Sequence, residues 1–204
     1  MKTNIAVFAS GRGSNFLAIA KAIRYRRLKN VNLALLVCDN PNAPVILKAR
    51  KLKIKVAIVR PDIFASKEAF ENRIRQHLRE SKIGLLVLAG FMRMLGADLV
   101  RAYKNRIINI HPSLLPAFKG SGGIKDAFDY GVKITGVTVH FVDEKMDHGP
   151  VILQREVEID KKDTLKALEE KIHKVEHKLY PLAIKLFVSK KLKIQGRKVS
   201  VKNR

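Results

Sequence analysis

At 204 residues and 47% hydrophobic the chain is long enough for one domain with a substantial core. No apolar run approaches a membrane span, and no cleavable secretory layout precedes the first apolar stretch at Ile5, so the expectation is a globular cytoplasmic protein with no membrane partner. The 41 Lys and Arg against 18 Asp and Glu give a net charge of +23, which admits nucleic acid, anionic membranes or phosphorylated small molecules as partners. The basic residues are scattered, however, over 21–29, 48–55 and an acid-free tail at 190–204, without the interleaved aromatics of a single-strand platform. The charge reads as solubility and anion attraction, with nucleic-acid binding at most nonspecific. The lone Cys38 lies in an apolar run and reads as a core residue, and the six histidines have no companion cysteines at ligand spacing, so no metal site is expected.

In chain order, near-continuous apolar runs at 5–9, 31–38, 56–59, 84–89 and 107–110 predict strands. Helical spacing between them predicts helices over 15–26, 43–52, 67–81 and 97–103. Alternation of buried strands with helices predicts an α/β class: a doubly wound, mostly parallel sheet covered on both faces. Beyond Gly136 the runs 137–142 and 151–159 flank the turn-rich Asp147-His148-Gly149-Pro150 and predict a hairpin-like pair attached to the sheet. Asp163 and Thr164 then open a long helix to about Val188, with a kink expected at Pro181. The basic tail from 189 is the one segment expected to lack structure.

Three motifs carry chemistry. Ser10-Gly11-Arg12-Gly13-Ser14-Asn15 joins the first strand to the first helix, where glycines let backbone approach a ligand and helix-terminal N–H groups face an anion. Phe16 replaces the third glycine of a dinucleotide fingerprint, so a phosphate fits better than a nicotinamide cofactor. Leu88-Ala89-Gly90-Phe91-Met92-Arg93-Met94-Leu95 ends a strand in an unusually apolar loop, a wall for a flat ring or ordinary core packing. Asn109 and His111 project from the same side of a strand end, because they are two residues apart and Pro112 and Pro116 forbid an immediate helix. With Asp147 they supply an amide donor for an oxyanion, a proton carrier and a carboxylate to orient it, which are the parts of an acyl-transfer site. His140, inside a strand pattern, is expected to support that site rather than to react.

FASGRGSN, LAGFMRML, INIHPSLLP, TVHFVDEKMDHGPVILQ and VEHKLYP, in this order and spacing up to about Phe187, resemble the folate-dependent phosphoribosylglycinamide formyltransferases of purine synthesis. The resemblance implies a Rossmann-like domain over 1–188 with 189–204 appended, and transfer of a formyl group from 10-formyltetrahydrofolate to glycinamide ribonucleotide. It implies that Asn109, His111 and Asp147 carry the chemistry, and that Gly13, Ser14 and Asn15 hold the ribonucleotide phosphate. Glu176, with His173, would meet the ribose hydroxyls. Met92, Arg93, Met94 and Leu95 would line the pterin pocket, with Asp143 and Glu144 in the folate loop and Lys67 near the folate glutamate. No metal is implied, and the family leaves room for a homodimer.

The chain departs from the family pattern at Ala117-Phe118-Lys119-Gly120-Ser121-Gly122-Gly123-Ile124, whose glycines predict a more mobile loop. His148 stands where a small residue is usual, which predicts a narrowed or polarised folate loop. Two enzymes share the motifs. A methionyl-tRNA formyltransferase would add a C-terminal RNA-binding barrel, for which the residues after Phe187 are too few. A formyltetrahydrofolate hydrolase would place a regulatory domain before Ile5. A basic nucleic-acid-binding protein rests on charge alone.

Overall fold

The computed structural model describes residues 2–202. The strands β1 (Thr3–Phe8), β2 (Val31–Cys38), β3 (Lys55–Ile58), β4 (Leu85–Leu88), β5 (Ile107–His111), β6 (Ile134–Phe141) and β7 (Val151–Glu158) form one sheet in the order β3-β2-β1-β4-β5-β6-β7. The chain divides into two compact units, Met1–Ile108 and Asn109–Arg204.

In the first unit β1 pairs in parallel with β2 and β4, and β2 with β3. Parallel neighbours need crossovers, and the intervening helices α1 (Ser14–Arg24), α2 (Val45–Lys51) and α3 (Lys67–Glu80) supply them, while α4 (Ala97–Ala102) follows β4. Ile5, Val7 and Phe8 of β1 are fully buried, each stabilising the fold by roughly 1.5–3 kcal/mol relative to exposure. All four residues of β4 are buried as well, which is why these strands read as continuous apolar runs rather than alternating ones.

In the second unit β6 and β7 are antiparallel, with Ile134 opposite Glu158 and a register shift at Val139/His140. Helix α5 (Gly123–Tyr130) follows β5 where glycines had suggested only a loop; Ala127 is buried, with Ile124 and Phe128 half-buried on the same face. The long α6 (Leu165–Val188) starts where expected: the Thr164 hydroxyl accepts the Ala167 N–H at 3.2 Å. Leu168, Ile172, Leu179 and Ile184 form its buried stripe, and the helix continues past Pro181 to Val188. The described part of the basic tail, 189–202, is structured, contrary to the reading from its charge. Strands β8 (Leu192–Gln195) and β9 (Lys198–Val201) form an antiparallel hairpin, and β9 lies against β7. Its apolar Leu192, Ile194 and Val199 are half-buried while Lys193, Gln195 and Lys198 face water, a period-two alternation that the charge conceals.

Candidate active site

The carboxyl end of β5 carries Asn109 and His111, and the loop from β6 to β7 carries Asp147. His111 Nδ1 lies 3.4 Å from Asp147 Oδ2, and Asn109 Nδ2 donates to Asp147 Oδ1 at 3.4 Å. The amide, the imidazole and the carboxylate therefore meet. His111 is 4% exposed and Asp147 10%, so their attraction is little screened by water.

His140 completes the arrangement. Its Nδ1 is 2.8 Å from the Phe141 carbonyl, which can only accept, so that nitrogen carries a proton. In the neutral ring Nε2 accepts from Asn109 Nδ2 at 3.2 Å; in the protonated ring it faces Asp147 Oδ1 at 3.7 Å, an ion-pair distance rather than a hydrogen bond. His140 therefore touches Asn109 and borders Asp147 from within β6.

The glycine-containing segment after Pro116 turns back onto the same residues. His111 Nε2 donates to the Phe118 carbonyl at 2.7 Å, and the Gly120 N–H donates to Asp147 Oδ2 at 2.9 Å. The loop expected to be mobile is held by both chemistry-bearing side chains. His111 has an acceptor-only oxygen beside each ring nitrogen, an arrangement in which the doubly protonated ring alone faces both as a donor. Burial pushes the Asp147 carboxyl up, but the His140 ring, the Gly120 N–H and the neighbouring imidazole charges outweigh it and hold the group below the ordinary carboxylate range. Asp147 adopts φ +47°, in the left-handed region that costs a non-glycine residue of order 1–3 kcal/mol and persists where surrounding contacts over-determine it.

Other candidates in this unit cluster in two places. On α6 the buried Glu176 takes His173 Nδ1 at 2.9 Å, and His173 stacks on His177 with ring centroids 6.3 Å apart. In the β6–β7 loop Asp143 pairs with His148 Nδ1 at 2.7 Å and accepts the Lys145 N–H at 3.0 Å, while Glu144 is exposed. Arg197, from the tail hairpin, binds His148 and was not singled out from the sequence.

In the first unit Gly13 precedes α1 at φ +71°, and a Cβ there would lie 2.3 Å from Val45 Cγ2. The turn therefore needs glycine for its backbone angle and for α2 packed behind it. Ser14 begins the helix and Asn15 is buried, so the N–H groups of the first turn sit next to the glycine turn. The Ser10 hydroxyl accepts the Met92 N–H at 3.0 Å, tying this turn to the apolar loop. Met92 and Met94 are 68% and 52% exposed, as a ligand wall requires, whereas Leu95 is buried. Arg93 Nε donates to Asp39 Oδ2 at 2.8 Å. Lys67 opens α3 one helical turn before Glu71, whose carboxylate accepts the Gly96 N–H at 2.6 Å at the end of that loop.

Among the described residues no group of three or more His, Cys, Asp or Glu is placed to hold a metal ion, and no helix is long and apolar enough to cross a membrane.

Residues 3–184 match the formyl transferase family. The chain belongs to that family. Among formyl transferases, it is 50% identical over 180 residues to phosphoribosylglycinamide formyltransferase of Bacillus subtilis, covering 88% of this chain and 92% of the relative. Glycinamide ribonucleotide transformylase 1 from Symbiobacterium toebii superposes with a TM-score of 0.96 at 37% identity, covering 99% of this chain and 95% of that one. Phosphoribosylglycinamide formyltransferase from Bacillus halodurans gives 0.89 at 46%, covering 92% and 96%. These likenesses bear out the α/β Rossmann-like formyltransferase fold, with its mostly parallel sheet and long C-terminal helix. A formyltetrahydrofolate deformylase from Pseudomonas syringae, 23% identical with a TM-score of 0.91 and covered over 67% of its length, shares the fold.

Proposed function

We propose that the chain transfers the formyl group of 10-formyltetrahydrofolate to the amine of glycinamide ribonucleotide in purine biosynthesis. The observation that carries this reading is the constellation of the buried His111 with the half-buried Asn109 and Asp147, in a chain whose close relatives bear the name of that enzyme. The amine attacks the formyl carbon, a C–N bond forms and the carbonyl electron pair moves to oxygen. Asn109 Nδ2 and a protonated His111 donate to that oxyanion; Asn109 does so by exchanging its 3.4 Å contact to Asp147, and His111 by exchanging the Phe118 carbonyl, for the substrate oxygen. Each such donor is worth roughly two to three decades of turnover.

The attacking nitrogen loses a proton and the folate nitrogen gains one as the original C–N bond breaks, so the step is balanced with water as the carrier. A carboxylate held below its ordinary range keeps a captured proton poorly, so Asp147 acts chiefly by its charge, stabilising the imidazolium and orienting the relaying water. Gly13, Ser14 and Asn15 take the ribonucleotide phosphate and Glu176 with His173 its ribose. Met92, Arg93, Met94 and Leu95, with Lys67, Asp143 and Glu144, serve the folate. Residues 1–188 act as one formyltransferase domain in this reading. The reaction needs no metal, belongs in the cytoplasm and is open to a homodimer, and the positive charge attracts anionic substrates with at most nonspecific nucleic-acid binding.

Mass spectrometry after incubation with the formyl donor and each acceptor tests the reading. Formylated glycinamide ribonucleotide is the expected product. Formyl-methionyl-tRNA, or formate released without acceptor, would transfer the chain to the tRNA formyltransferase or deformylase reaction.

A further inference from the structure

The tail hairpin ends in a two-residue turn, Gly196-Arg197, with Gly196 at φ +58° in the first position. The turn aims Arg197 at the β6–β7 loop. Arg197 Nη2 donates to the His148 carbonyl at 2.7 Å, and Nη1 lies 3.0 Å from His148 Nε2. His148 Nδ1 in turn lies 2.7 Å from Asp143 Oδ2. A carboxylate only accepts, so Nδ1 carries the proton; Arg197 Nη1 also lies 3.3 Å from that nitrogen, which places the guanidinium over the face of the imidazole. The chain guanidinium, imidazole, carboxylate is self-consistent, and it grips both the backbone and the side chain of the residue that follows Asp147.

Asp147 is the residue that needs such support. It sits at φ +47°, and one turn of its backbone sets whether Oδ2 meets His111 and the Gly120 N–H. We propose that Arg197 is a positioning residue: by clamping His148 it holds the Asp147 carboxylate in register with His111 and Asn109, so the C-terminal hairpin is part of the machinery for turnover. The inference rests on the formyl-transfer reading for its kinetic consequence, but not for its structural one. Arg197 is exposed, and the His148 and Asp143 side chains are each 37% exposed. Exposed ion pairs contribute little to stability, so the clamp acts on geometry and not on folding. Small misplacements of a catalytic group are costly in rate.

The test compares Arg197→Ala, Arg197→Lys and, as a control on the same hairpin, Lys198→Ala. Amide hydrogen exchange is read at Gly120 and Lys145, whose N–H groups donate to Asp147 and Asp143. In Arg197→Ala both amides should exchange about tenfold faster, and kcat for formyl transfer should fall about tenfold with the ribonucleotide KM within about twofold. Arg197→Lys keeps the charge but cannot span carbonyl and ring together, and should recover only part of both. Lys198→Ala should match wild type. Unchanged exchange or unchanged kcat in Arg197→Ala overturns the proposal, as does an equal loss in Lys198→Ala, which would make bulk charge the cause. Absence of formyl transfer in the wild type would overturn the functional reading instead, and the exchange of Gly120 would still decide whether Arg197 holds Asp147.

Discussion

The glycine turn before α1 and the constellation at the end of β5 are both placed at strand carboxyl ends, but they are made of different material. The turn is backbone: Gly13 at φ +71°, with Val45 packed where a side chain would go. The constellation is side chain: Asn109, His111, His140 and Asp147 within 3.2–3.7 Å of one another along the contacts that join them. A backbone site is sensitive to volume and indifferent to pH, whereas a side-chain site is sensitive to charge at constant volume. Substitutions that separate volume from charge therefore test whether the two regions do the different jobs assigned to them.

The largest effect is expected from Asp147→Asn, which preserves shape and removes charge. Turnover should fall by about a thousandfold or more, and His111→Ala should do the same. Because the residues act as a unit, the double variant should be far less than multiplicatively worse, and wild-type-like turnover in either single variant would end the mechanism. Stability carries a second signature. The folded carboxyl lies below its ordinary range, so its contribution is present above the unfolded value near 4 and is lost as pH falls through the lower folded value. The stability difference between wild type and Asp147→Asn, measured by urea unfolding at a series of pH values, should shrink as pH drops below about 4. A constant difference would mean that the carboxylate is not held by its neighbours.

Gly13→Val changes volume without charge. Its Cβ would sit 2.3 Å from Val45 Cγ2 in a backbone region unfavourable to branched side chains, so destabilisation of about 1–3 kcal/mol should accompany loss of ribonucleotide binding. Calorimetry on the folded fraction should show a larger loss for the ribonucleotide than for the folate. Equal losses would reduce the turn to a structural element.

Much of this was legible in the sequence. The parallel sheet followed from continuous apolar strands such as β4, and the pairing of Asn109 with His111 from a two-residue spacing at a strand end, while Asp147 was joined to them by the chemistry of the motif and the family resemblance. What escaped was carried by backbone or by distance along the chain. The Phe118 carbonyl and Gly120 N–H hold His111 and Asp147, yet no residue type announces a backbone contact. Glycines at 120–123 read as mobility and hid the helical spacing of Ile124, Ala127 and Phe128 in α5. Net charge hid the tail hairpin, and Arg197 reaches a partner 49 residues away, which no local pattern encodes.

His140→Leu tests the boundary between the two kinds of site, since it removes a ring that touches no substrate in the proposed reaction. Asn109 loses a partner at 3.2 Å, so kcat should fall about tenfold with little change in either KM. A loss as large as that of His111→Ala would move His140 into the chemistry itself.

The smallest effect, and the cleanest one for the glycine turn, is expected from Gly11→Ala. Nothing lies within 4 Å of a Cβ at Gly11, and its φ is outside the left-handed region, so the added methyl meets neither core nor backbone strain. Unfolding should therefore be unchanged within about 0.5 kcal/mol, as for a surface substitution away from packed features. If a phosphate is bound by close approach to this turn, the methyl narrows that approach, and ribonucleotide affinity should drop a few-fold with folate affinity intact. Unaltered binding of both ligands would show that the approach is made elsewhere along Gly13, Ser14 and Asn15, and an altered folate affinity would assign the turn to the donor instead.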